Sequence, residues 1–143
     1  MSAPVTLTIC RTCRPEGAPE DAERPGAALL REVVAAVALR EAEATVEVKA
    51  IACLSACSRA CSATISGEAK FGYVVGALSP LDADDLVGFA LAHAESADGI
   101  PPWRARPQVV RKNTIARLPP HGVAHALVEE PASAAVDEVQ ERA

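Results

Sequence analysis

The chain has 143 residues, 50% of them hydrophobic and 3% aromatic, and its formal net charge is −5. This length and apolar content predict one domain with its own core and a loose tail. The acidic balance argues against a nucleic-acid binder and does not suggest an anionic membrane as a partner. No apolar run approaches about 18 residues, so we expect no membrane span. The N-terminus MSAPVTL lacks a secretory signal, and we therefore expect a cytoplasmic protein.

The first half of the chain predicts a strand, a helix and a second strand. VTLTI (5–9) alternates in polarity and is β-branched, which is typical of a strand. AALLREVVAAVAL (27–39) has the spacing of an amphipathic helix. Its apolar face is predicted to contain Leu30, Val33, Val34 and Val37. TVEVKAIA (45–52) is the second strand, and both strands end at a cysteine.

A hairpin and a second helix are predicted next. SATISG (62–67) and KFGYVVGAL (70–78) form two strands joined through Gly67. Ser79 and Asp82 stand at capping-box positions for the helix that follows, with Pro80 in its first turn. The helix has a predicted buried stripe of Leu81, Leu86, Phe89, Ala90 and His93, in which His93 is a packed residue rather than a ligand. The order of elements predicts an α/β, thioredoxin-like fold: β-α-β, then a β-hairpin and a helix.

The chain changes in character after residue 100. We expect a thioredoxin-like domain over 1–100, a basic, proline-rich extended arm over 101–122 and an acidic, alanine-rich flexible tail over 123–143. Trp103 and Ile115 are expected to anchor the arm on the domain. The arm is either a solvated connector or a docking strip for an acidic redox partner. Its candidate docking residues are Arg104, Arg106, Arg111 and Lys112.

All five cysteines fall in two clusters that directly follow the first two predicted strands. CRTCRPEG holds Cys10 and Cys13, and CLSACSRAC holds the remaining three, Cys53, Cys57 and Cys61. Matching ends of neighbouring parallel strands lie within roughly 5–10 Å, so the two clusters should meet. In a reducing cytosol such thiols more often bind metal or carry out redox chemistry than form structural disulfides.

Three kinds of site fit these cysteines. Four thiolates accept either zinc or a [2Fe–2S] cluster, and Arg11, Arg14 and Arg59 beside them would offset the negative charge. The third is a thiol–disulfide redox pair at Cys10 and Cys13, a C-x-x-C behind the first strand of a β-α-β unit. RPEGAPEDAERP separates Cys13 from the predicted helix, so no helix dipole should lower the thiol pKa.

The spacing of the cysteines also carries a resemblance. Cys10 behind the first strand and the C-x₃-C of Cys53 and Cys57 behind the second resemble the thioredoxin-like [2Fe–2S] ferredoxins. A closer resemblance is to a family of small bacterial proteins known only as predicted metal-binding proteins. It rests on four pieces that run from about residue 5 to 120: CRTCR, CLSACSRAC, FGYVVGAL and DGIPPWRARP…VRKNTIARLPP.

The resemblance implies an electron carrier, not an enzyme, with a [2Fe–2S] cluster that passes one electron from a reductase to an acceptor enzyme. It implies Cys10, Cys53 and Cys57 as ligands. The second ligand of those ferredoxins lies roughly ten residues after the first and does not carry over, because residues 18–26 contain no cysteine. Cys13 is its natural substitute here, and Cys61 is the alternative. Association of the smaller family with cobalamin biosynthesis implies an acceptor in corrin chemistry, such as a cobalt-reducing step. A zinc- or cobalt-binding delivery module stays open as an alternative, and so does a homodimer.

Overall fold

The computed structural model describes residues 3–131 and shows a five-stranded sheet flanked by helices. The elements are β1 (Val5–Cys10), α1 (Pro25–Leu39), β2 (Val46–Ile51), β3 (Ala63–Ser66), β4 (Gly72–Val75), α2 (Ala83–Glu95), α3 (Gln108–Asn113) and β5 (Thr114–Leu118). The strand order is β2-β1-β3-β4-β5. β1 and β2 are parallel, and the other three neighbouring pairs are antiparallel. The predicted β-α-β, hairpin and helix are confirmed.

The core lies where α1 and α2 pack against each other and against β1. β1 alternates in burial, and both Leu7 and Ile9 are fully inaccessible to solvent. α1 buries Leu29, Val33 and Val37, whereas Val34 is 51% exposed, so its predicted place in the core is wrong. The apolar face of α1 is therefore narrower than the run of valines indicates. No helix among residues 3–131 is long and apolar enough to cross a bilayer.

The start of α2 follows the predicted capping box, with one displacement. The Ser79 side chain accepts a hydrogen bond from the Leu81 backbone, and Asp82 accepts one from the Ser79 backbone N–H at 2.8 Å. These contacts stabilise a 3₁₀ turn over Pro80–Asp82, and α2 begins only at Ala83. Leu81 belongs to that turn and is 94% exposed, so its predicted burial is wrong. The remaining residues of the stripe are confirmed as fully buried: Leu86, Phe89, Ala90 and His93.

The segment after residue 100 is folded, whereas the sequence predicts an extended arm. A 3₁₀ turn over Trp103–Ala105 leads to α3, and β5 then pairs with β4 at the sheet edge. Trp103 is 61% exposed and Ile115 is 38% exposed, so neither is the predicted anchor. The anchor is Val110, which α3 buries completely. The proposed divisions after residues 100 and 122 stay predictions, and residues 132–143 of the tail lie outside the described part.

Candidate metal centre

Both cysteine clusters lie at one end of the sheet. Cys10 is the last residue of β1 and pairs with Ile51, the last residue of β2. The chain then passes through the loop of Cys53 and Cys57 and re-enters the sheet at Ala63, opposite Ile9. The parallel crossover through α1 thus places the ends of β1 and β2 side by side, as the sequence predicts.

Four of the five cysteines line one pocket of about 140 Å³ at this end. Its walls are formed by Cys10, Thr12, Cys13, Arg14, Arg24, Cys53, Ser55, Ala56 and Cys57. Cys61 is fully buried and does not line the pocket; its thiol faces the backbone oxygen of Cys13 at 4.0 Å. The structure therefore separates Cys61 from the other four candidate residues. All five thiols are free of disulfide bonds.

Cys10 and Cys13 form a buried knuckle at the end of β1. They are 3% and 7% exposed, and the Cys13 backbone N–H donates to the Cys10 carbonyl at 3.4 Å. The start of α1 lies directly against this turn, because Gly26 donates its N–H to the Cys13 carbonyl at 3.0 Å. A Cβ on Gly26 would overlap the Cys10 carbonyl oxygen and lie 2.9 Å from the Cys13 nitrogen. Only glycine fits this close approach.

Sequence reasoning missed Gly26. The available signal is a glycine inside the first turn of a helix, directly after Pro25, where no turn needs it. A glycine in such a position often marks close contact with another backbone.

The hydrogen bonds around the knuckle give its thiols different pKa values. Burial alone would raise the pKa of Cys10, but hydrogen bonds from Cys13, the Leu54 backbone and Thr12 outweigh it and lower the pKa. Burial raises the pKa of Cys13, although the Ser62 hydroxyl lies 3.4 Å from its sulfur. Burial, together with the nearby Cys13 and Cys10, raises the pKa of Cys61 to about 12. Cys10 is thus the thiol of the three that ionises most readily.

The second cluster is an exposed loop. Cys53 and Cys57 are both exposed, and the Cys53 sulfur accepts a hydrogen bond from the Ser55 backbone N–H at 3.2 Å. Cys57 begins a 3₁₀ turn that ends at Arg59, whose carbonyl accepts a hydrogen bond from Ala77 at 2.8 Å. The loop is therefore tied to the segment after β4, while its two thiols face solvent.

Two arginines contribute positive charge to the pocket wall. Arg24 donates to the Thr12 carbonyl at 2.8 Å, and Arg14 donates to the Glu20 carbonyl at 3.1 Å. The Nε of Arg14 is buried and has no hydrogen-bond partner within residues 3–131. Of the three arginines expected near the thiols, Arg11 and Arg59 are exposed and outside the pocket wall. Sequence reasoning missed Arg24, which comes from the helix start 11 residues after Cys13.

The four pocket thiols do not converge on one point. Among the described residues, no three His, Cys, Asp or Glu side chains are placed to hold a single metal ion together. Cys10 and Cys13 lie buried in one turn, whereas the Cys53 sulfur accepts a hydrogen bond from its own loop. The donors thus form a buried pair and an exposed pair on one pocket.

The fold defines the structural class. The chain has a thioredoxin-like fold and resembles a thioredoxin-like [2Fe–2S] ferredoxin from Aquifex aeolicus, with a TM-score of 0.56 and 17% identity over 86% of this chain and 100% of that one. A structure of the wild-type ferredoxin from the same organism gives a TM-score of 0.52 and 16% identity, over 80% of this chain and 99% of that one. A cysteine-to-serine variant gives 0.53 and 17%, over 78% and 98%.

The family follows from the sequence itself. Residues 7–120 match a family described as "Protein of unknown function (DUF1636)", and the chain belongs to that family. The match includes both cysteine clusters and ends two residues after β5. A comparison with curated proteins finds no match. The structural likeness, at 16–17% identity, establishes the fold.

Proposed function

We propose that this protein is a one-electron carrier that holds a [2Fe–2S] cluster on Cys10, Cys13, Cys53 and Cys57. The observation that supports this is the single pocket at the end of the sheet, which these four side chains line together. Four cysteine thiolates are the usual ligand set of such a cluster, with two on each iron. The arrangement as a buried pair and an exposed pair fits that division.

The choice of Cys13 over Cys61 rests on position. Cys13 lines the pocket beside Cys10, whereas Cys61 packs behind it, between the Cys13 backbone and the core. The backbone of Cys61 also exchanges two hydrogen bonds with Leu78, at 2.9 and 3.3 Å. Moving its sulfur into the pocket would disturb this pairing. We therefore assign Cys61 a packing role.

Bound here, the cluster would supply reversible one-electron reduction, and the residues of the pocket would stabilise the charge of its thiolate ligands. The Ser55 N–H donates to the Cys53 sulfur, which stabilises thiolate charge. Arg14 and Arg24 in the wall would offset the negative charge of four thiolates. Cys53 and Cys57 are the exposed side, from which a reductase and an acceptor enzyme would approach. A cobalt-reducing step is the acceptor reaction we propose, in the cytoplasm, where thiols stay reduced.

A second candidate is thiol–disulfide exchange at Cys10 and Cys13. The two cysteines lie in one buried turn, and the pKa of Cys10 is lowered although burial opposes it, as in redox-active pairs. Against it, α1 begins at Pro25, so no helix N-terminus lies at Cys13. Zinc at the same four thiolates is the corresponding metal alternative.

The first experiment is an absorption spectrum with iron and sulfide analysis of anaerobically purified protein. Visible charge-transfer bands, with iron and acid-labile sulfide in equal amounts, are expected for the wild type. Cys61→Ser should keep the colour, and Cys13→Ser should lose it. A colourless protein, still without iron after reconstitution, would refute the electron carrier; zinc analysis and thiol titration would then separate the zinc site from the redox pair.

A further inference from the structure

The segment after residue 100 carries a concentration of positive charge that the rest of the chain lacks. Residues 101–120 contain Arg104, Arg106, Arg111, Lys112 and Arg117 and no acidic residue. The whole chain has a net charge of −5 although this segment contributes +5, which leaves −10 for the remainder. We call residues 101–120 the basic strip. Such asymmetry in one small domain favours a partner of opposite charge on the strip.

The strip also exposes apolar surface between its cations. Trp103, the only tryptophan of the chain, is 61% exposed. The guanidinium groups of Arg106 and Arg111 lie 5.4 and 5.6 Å from its ring centre. These two cation–π contacts hold the indole in place while it stays open to solvent. Tryptophan and arginine are enriched among residues that contribute most to protein–protein binding.

The strip reaches the cysteine loop at Gly76. The Gly76 N–H donates to the Asn113 carbonyl at the end of α3, at 2.9 Å. A Cβ on Gly76 would lie 2.7 Å from the Cβ of Arg59 and 2.9 Å from the Cδ1 of Ile115. Arg59 is two residues after the exposed Cys57. The exposed residues Arg59 and Ile115 therefore both lie close to the buried Gly76, where the strip meets the loop.

Sheet register places the start of β5, and with it the end of α3, at the same end of the sheet as the pocket. Thr114, the first residue of β5, pairs with Val75, which pairs with Ala63, which pairs with Ile9 beside Cys10. Three strand spacings separate β1 from β5, which is about 14 Å. A partner bound at this end of the strip would thus lie beside the exposed thiols.

We propose that the basic strip, extended by Arg59, is the docking surface for a redox protein that presents Asp and Glu carboxylates around an apolar centre. This docking surface would serve the proposed electron carrier, so its role rests on that proposed function. The binding itself does not require a cluster. Charge would accelerate encounter, and Trp103 and Ile115 would supply the apolar contact.

The test measures binding to cytochrome b5, a small acidic haem protein, with cytochrome c as the basic counterpart. The full chain as purified is titrated at about 10 mM and about 150 mM ionic strength, which changes screening strongly. Trp103 fluorescence and backbone NMR shifts report the contact. The strip variant is Arg104→Gln/Arg111→Gln. The control variant is Arg31→Gln/Lys49→Gln, which removes the same charge from exposed residues on α1 and β2.

Binding of cytochrome b5 with shifts near Trp103 and Arg59 supports the proposal, and cytochrome c, which the acidic remainder of the chain attracts, should leave those shifts unchanged. The strip variant should then weaken binding about tenfold at low salt and the control variant less than about twofold. Equal weakening by both variants, or no binding by the wild type, would overturn it. A dimer that sedimentation detects in the wild type and in the control variant but not in the strip variant would also overturn it, because a second copy of this chain would then bind the strip.

The two proposals fail separately. If the protein stays iron-free after reconstitution but binds cytochrome b5 through the strip, the electron carrier is refuted and the docking surface is supported. If the protein holds a cluster but the strip variant binds cytochrome b5 as the wild type does, only the docking surface is refuted.

Discussion

The two halves of the cysteine site are built differently. The knuckle of Cys10 and Cys13 is buried, and the first turn of α1 presses on it through Gly26. The loop of Cys53 and Cys57 is exposed and is tied to the body through Arg59 and the segment after β4. One half is therefore part of the core, and the other half is part of the surface. A ligand held as we propose would contact the core on one side and face solvent on the other.

Thiol labelling should show the largest contrast between the halves. In the cluster-free chain, Cys53 and Cys57 should react with an alkylating reagent at the rate of free thiols. Cys61 needs extensive opening, so we expect it to react more than about a thousandfold more slowly. Mass spectrometry of peptides over a time course measures both rates. Similar rates for Cys53 and Cys61 would contradict the division into core and surface.

Gly26→Ala should affect the knuckle next most strongly. The new methyl group overlaps backbone, which cannot rotate away, so the start of α1 or the Cys10–Cys13 turn must move. We expect unfolding free energy to fall by roughly 1–3 kcal/mol, together with a lower iron content after reconstitution. Denaturant unfolding and iron analysis measure the two effects. Ala28→Gly, in the same helix turn, is the control for helix propensity. Normal stability and iron content in Gly26→Ala would show that the close contact with α1 does not position Cys10 and Cys13.

Gly76→Ala is the matching change for the exposed loop. Its methyl group would lie 2.7 Å from the Arg59 Cβ and 2.8 Å from the Arg59 carbonyl, but the Ile115 side chain can move. We expect a loss of about 1 kcal/mol, smaller than for Gly26→Ala. Labelling of Cys57 should change while labelling of Cys13 does not. Equal changes at both thiols would mean that loop and knuckle move together.

Acidification should lower the free energy of unfolding through His93, which is buried in the core. Burial lowers the pKa of His93, whose Nε2 lies 2.6 Å from the Phe71 carbonyl oxygen. Since the unfolded chain takes up a proton near pH 6.5 and the folded chain resists it, the stability from neutral His93 is complete above that pH and declines below it. Denaturant unfolding between neutral and mildly acidic pH measures the slope. His93→Gln keeps a donor for Phe71 and should flatten it; an unchanged slope would assign the effect to other groups.

Sequence alone predicted the elements that repeat a simple period or a local signal. β1, α1, β2, the hairpin and the Ser79 capping box follow from alternation, helical spacing and side-chain chemistry within a few residues. The convergence of the two cysteine clusters followed from strand direction alone. These features need no knowledge of distant contacts.

The remaining features depend on tertiary contacts. Which side of α1 faces the core is decided by α2, so Val34 was misplaced although it fits the helical period. β5 becomes a strand because the edge of β4 is available to it, and Val110 anchors the preceding turn. Whether Cys13 or Cys61 lines the pocket depends on how β3 leaves the loop. No spacing in the sequence encodes that choice.

β5 also limits the pairing of the sheet with strands of other molecules. It forms one edge of the described sheet, presents Arg117 to solvent and is followed directly by Pro119 and Pro120, which lack a backbone N–H. Lys49 and Glu47 form an exposed ion pair on β2, the opposite edge. Charged side chains and prolines at sheet edges oppose strand-to-strand aggregation. The chain can thus expose its cysteine loop to solvent while both edges of the described sheet resist pairing with another copy.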